Sequence, residues 1–145
     1  MKAVRGAKVP FGLFGLFRLV AMAAAACTVA TPAPADCPAS LAGAEVIDDG
    51  TVQAAWQTEP GPITVGRPFA LLVMLCPADA QLQRVDATMP EHRHGMNYRA
   101  SIKPLGEGRW RVEGLLWHMS GRWELRLDVQ SQGKAHRLRQ SVVLP

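Results

Sequence analysis

Arg122-Trp123-Glu124-Leu125-Arg126-Leu127-Asp128-Val129 alternates without a break: Trp123, Leu125, Leu127 and Val129 are apolar, and Arg122, Glu124, Arg126 and Asp128 are charged. A two-residue period puts one set on each side of an extended strand, one side in a core and the other in water. The neighbouring residues repeat the pattern. Trp110 and Val112 alternate with Arg109, Arg111 and Glu113 in a strand from Arg109 to His118, and Gly121 marks the turn between the two strands. Gln130 to Lys134 reads as the following turn, and Ala135 to Leu144 as a closing strand.

The upstream half reads the same way. Thr51 to Thr58 carries Val52, Ala54 and Trp56 on one face, and Glu59-Pro60-Gly61-Pro62 then forbids a ladder. Ile63-Thr64-Val65 leads into Pro68 to Cys76, which is apolar on both faces, as a central strand covered on both sides would be. Leu82 to Met89 alternates imperfectly, and Pro90 ends it, placing His92 and His94 in the loop beyond. Asn97 to Leu105 is the next strand, with Tyr98, Ala100 and Ile102 on one side, before a turn at Gly106-Glu107-Gly108. No window after residue 35 has the period of an amphipathic helix. The expected fold is all-β: an immunoglobulin-like antiparallel β-sandwich of about seven strands.

The N-terminus differs in kind. Lys2, Arg5 and Lys8 precede an apolar run from Phe11 to Ala30, and Ala33-Pro34-Ala35 offers small residues at an A-x-A cleavage site. Residues 1–35 therefore read as a secretory signal peptide and residues 36–145 as one exported domain, periplasmic or secreted. The rival is lipoprotein processing at Cys27, although Ala24 is a poor residue three positions before such a cysteine. Arg18 divides the apolar run, which argues against a retained span, so no membrane span is expected after processing. The chain holds 16 basic and 12 acidic residues, net +4. That excess is Lys2, Arg5, Lys8 and Arg18, so residues 36–145 balance. A neutral domain of mixed charge has no footprint for nucleic acid or an anionic membrane. Cys37 and Cys76 are the pair left in the exported domain and read as a disulfide in an oxidising compartment; the alternatives are separate thiols or metal-binding thiols.

The chemistry concentrates in Met89-Pro90-Glu91-His92-Arg93-His94-Gly95-Met96 and in Trp117-His118-Met119-Ser120-Gly121-Arg122-Trp123. Strands ending at these segments run in the same direction if one antiparallel strand separates them, which brings both to one edge of the sandwich. Imidazole with thioether suits copper, since sulfur favours Cu(I) and imidazole accepts either oxidation state. His94 and Met96, two residues apart, lead the ligand set. His92 follows, and His118 with Met119 complete it from the neighbouring segment. The competing reading makes Met89 and Met119 plugs in a core, leaves the histidines as solvated loop residues, and makes this a structural or protein-interaction domain of the cell envelope. Trp110, Trp117 and Trp123 read as packing, and His136 lies on the last strand, away from both clusters. No G-x-S-x-G, HExxH or glycine-rich phosphate loop is present, and Cys37 and Cys76 form no C-x-x-C, so the chain reads as a non-enzyme.

Met89-Pro90, His94-Gly95-Met96, Gly108-Arg109-Trp110 and Met119-Ser120-Gly121-Arg122-Trp123 together resemble the YtkA-like domain of bacterial exported proteins, over about residues 45–145. That resemblance implies an exported immunoglobulin-like β-sandwich associated with copper handling or respiratory-oxidase assembly. It establishes no enzymatic activity, and the expected partner is a copper-handling or envelope protein. His94-Gly95-Met96 is also similar to the final His-x-Met element of PCuAC-type copper chaperones, whose upstream spacing this chain does not share.

Overall fold

The structure, a computed structural model, describes Cys37, Leu41 and residues 43–145. Residues 1–35, expected to be a signal peptide, and Cys27 lie outside those residues. The described part contains no helix, and so none able to cross a membrane. Its nine strands are β1 (Glu45–Asp48), β2 (Gln53–Glu59), β3 (Pro68–Cys76), β4 (Gln81–Met89), β5 (His94–Gly95), β6 (Ser101–Gly106), β7 (Arg109–Leu116), β8 (Gly121–Ser131) and β9 (Lys134–Leu144). They form two antiparallel sheets, ordered β1-β2-β3-β7-β6 and β5-β4-β8-β9. The seven expected strands are all present. Two short ones, β1 and β5, add to them.

Alternation builds the core. Trp123, Leu125, Leu127 and Val129 of β8 are buried and face Trp56, Leu71, Val73, Trp110 and Val112 of the other sheet. The imperfect alternation of β4 has a local cause. A register shift between Leu82 and Arg84 against β8 inserts one residue, so that Leu82, Val85, Ala87 and Met89 all turn inward. β3 is the middle strand of its sheet, but it is not covered equally on both sides as expected: Leu71, Val73 and Leu75 on the inner face are buried, whereas Leu72 and Met74 on the outer face are only half-buried. Cys76 at its end is joined to Cys37 by a disulfide, with Cα atoms 5.2 Å apart and a sequence separation of 39. On chain entropy, closing a loop of that length contributes roughly 3–4 kcal/mol. The Trp56 indole donates to Gln140 Oε1 at 2.8 Å, tying β2 of one sheet to β9 of the other.

Three expected boundaries move. The strand expected from Asn97 begins only at Ser101, and Tyr98 is exposed instead of sharing a face with Ala100 and Ile102. The chain has just paired with β4 in one sheet and must cross to the other before β6 can pair with β7. β7 stops at Leu116, because the Trp117 carbonyl accepts from Gly66 N (2.8 Å) and the chain again changes sheet. His118 therefore lies in the connection. Ile63-Thr64-Val65 forms no strand; it packs partly buried against the core.

Candidate metal centre

The His/Met segments meet at one end of the sandwich. The first turns back on itself. Pro90 ends β4, the His92 amide donates to the Met89 carbonyl at 3.1 Å, and Arg93 takes a left-handed φ of 54°. The returning residues pair with β4: His94 with Met89, Gly95 with Thr88, and the Met96 amide donates to the Ala87 carbonyl at 3.1 Å. His94 is thus not a loop residue but half of a two-residue strand. Paired residues on neighbouring strands share a face, so His94 and Met96 lie on the inner face with Met89 and Ala87. Gly95 permits the close pairing, because a Cβ there would stand 2.8 Å from the Ala87 carbonyl oxygen.

The second segment leaves β7 and enters β8. Trp117 and Trp123 are wholly buried and stack with ring centroids 5.2 Å apart at 8°. The Trp123 indole donates to the Met119 carbonyl at 3.0 Å, which folds residues 119–123 into a tight turn. On this indole pair stand two imidazoles from different segments. His94 and His118 lie 5.2 Å apart at 29°, and each meets Trp123 edge to face, at 6.2 Å and 5.6 Å. His92 is next to His94 at 5.8 Å. Outside them Arg122 donates to Glu91 at 2.9 Å, linking the two segments by an exposed ion pair worth roughly 0.2–1 kcal/mol.

The donors differ in exposure. His92 and His118 are exposed, His94 is half-buried, and His94 Nδ1 is buried with no hydrogen-bond partner among the described residues. Leaving such a nitrogen unpaired costs about 1–3 kcal/mol. The methionines fare differently against the core-plug reading. Met89 is the core plug it was expected to be, at 1% exposure, whereas Met119 is 37% exposed and plugs nothing. Met96 packs partly buried against the core and lines a groove with Val85, Ala100 and Ile102, away from His118.

Among the described residues no group of three or more His, Cys, Asp or Glu side chains is placed to hold one ion. The arrangement therefore offers two imidazoles in contact, a third at the rim, and thioethers as the remaining donors. Two nitrogens with sulfur fit Cu(I), and fit poorly the four hard or borderline ligands that zinc prefers. His136 is engaged elsewhere: its Nδ1 lies 2.8 Å from Asp49 Oδ2. The floor of two tryptophans is legible in the sequence only as packing. The inward turn of His94 depends on the β4–β5 hairpin, for which the sequence holds no Asn-Gly or Asp-Gly signal. Compared with known protein families, with curated proteins and with solved structures, the chain finds no match.

Proposed function

We propose that this chain is a copper-binding or copper-delivery module of the bacterial cell envelope. It holds Cu(I) at His94 and His118, with His92 at the rim and thioether sulfur beside them. The observation that carries this reading is the contact of two imidazoles from separate segments over a rigid indole floor, one of them with a buried, unpartnered nitrogen. A structural or partner-binding role explains the tryptophan stack but gives no reason to bury that nitrogen. The resemblance to the YtkA-like domain, the leader-like N-terminus and the Cys37–Cys76 disulfide agree with an oxidising compartment outside the cytoplasm. The ion, when bound, supplies the cargo; the chain supplies its coordination and the exposed donors from which a copper-handling partner takes it.

Titration of the purified protein with Cu(I) against a competing chelator tests this. One equivalent is expected, with Zn(II) bound much more weakly. His94→Ala and His118→Ala should each weaken Cu(I) binding by at least about tenfold, or about 1.4 kcal/mol. Binding should weaken in acid, since protonated imidazole cannot coordinate. Unchanged Cu(I) affinity in both variants refutes the proposal.

A further inference from the structure

We propose that Met89, the buried residue at the end of β4, is the sulfur ligand of this centre; the inference rests on the copper reading above. Three observations place it there. Met89 is the register partner of His94, so its side chain shares the inner face with the imidazole whose Nδ1 is buried and unpartnered. It stands one residue beyond the Thr88–Glu124 pair, on the strand that lies between those carrying His94 and Trp123. Its methyl end lies 3.0 Å from where a Cβ on Gly121 would be, so the side chain reaches across to the segment that carries His118. The thioether sulfur is one bond back from that methyl, on a side chain that is buried on the inner face.

The other thioethers fit less well. Met96 lies just beyond the end of β5, two residues on from His94, a displacement of about 6–7 Å at strand rise, and it lines the groove beside Ile102. Met119 is adjacent to His118 but exposed. A buried thioether next to a buried imidazole nitrogen has a chemical consequence. Sulfur gains only with the softer ion, and desolvating a monovalent cation costs less than desolvating a divalent one. The centre therefore selects Cu(I) from the inside, while His118, His92 and Met119 remain at the surface for exchange with a partner.

Copper K-edge X-ray absorption on the Cu(I)-loaded protein, with chelator competition, tests the assignment in Met89→Leu, Met96→Leu and Met119→Leu. Leucine keeps the volume of methionine, and such swaps usually leave a core folded; urea melts in excess chelator check each variant. Copper–sulfur scattering is expected in the parent, in Met96→Leu and in Met119→Leu, and should disappear in Met89→Leu. The same variant should lose at least about tenfold in Cu(I) affinity, with a smaller change for Cu(II). Sulfur scattering retained in Met89→Leu, or abolished by either other substitution, overturns the assignment. Copper bound with nitrogen scattering alone overturns it too while leaving the copper function standing; a parent that binds no copper removes both.

Discussion

Replacing His94 with leucine should leave the metal-free protein at least as stable as the parent while removing its copper affinity. The imidazole carries a buried Nδ1 without a partner. Such a group costs about 1–3 kcal/mol, and because the whole residue is only half-buried the low end applies, about 1 kcal/mol. Leucine removes that penalty and adds apolar burial at roughly 0.8 kcal/mol per methylene. Against this stands the lost edge-to-face contact with Trp123 at 6.2 Å, worth about 0.5–1.5 kcal/mol. The balance runs from zero to a gain of about 1 kcal/mol, which for a domain of this size raises the melting temperature by up to about 4–8 °C. Urea unfolding in excess copper chelator, followed by the emission of the buried tryptophans, measures it. With Cu(I) present the order should reverse. A metal-free His94→Leu protein that is destabilised by more than about 2 kcal/mol, and that still binds copper, would show that His94 is a satisfied structural residue and refute the reasoning.

Gly121→Ala should destabilise the fold and weaken Cu(I) binding together, because φ is +115° there and the added Cβ would press on Met89 at 3.0 Å; for these causes a loss of about 1–3 kcal/mol is expected, and an unchanged urea midpoint would argue against the packing described. Asp49 gives a pH signature away from the metal. Its carboxyl is held below the usual carboxylate range, chiefly by the Val52 amide, against desolvation, with His136 and the Thr51 amide adding to the effect. A depressed carboxyl contributes stability that is complete above the ordinary carboxylate pKa and is lost as pH falls through the folded value. Asp49→Asn should therefore be less stable than the parent at pH 7, and the two urea midpoints should converge in acid; a constant gap across that range counts against the assignment.

Strand β8 was legible because each of its residues obeys one period, and the structure keeps both its faces. β4 was legible in extent but not in detail: the inserted residue at Gln83 breaks the period, yet Val85, Ala87 and Met89 still reach the core. β5 was not legible. Its hairpin turns on Arg93 at positive φ, a conformation that local sequence does not specify for a non-glycine residue. Tyr98 was misread because alternation shows which residues could share a face but not where a chain leaves one sheet for the other. The same limit explains the methionines. Met89 and Met119 look alike in sequence, and only register separates the residue paired with His94 from the one on an exposed turn.

The metal-free centre is a local conflict that the rest of the fold has the means to hold. Trp117 and Trp123 are fully buried and stacked, and Trp123 is fixed by a hydrogen bond to the Met119 carbonyl, so the floor under the imidazoles does not depend on an ion. The unpartnered nitrogen of His94 costs about 1 kcal/mol on that floor. A ligand at a hundred times its dissociation constant adds about 2.7 kcal/mol to the folded state, more than the deficit. Coordination would thus satisfy the nitrogen and reverse the local imbalance without requiring the sheets to move. The exposure of the donors then sets a direction. His94 and Met89 are inside, whereas His118, His92 and Met119 are reachable from solvent. On the copper reading proposed above, a partner's ligands would displace the outer imidazoles first while the inner donors still held the ion.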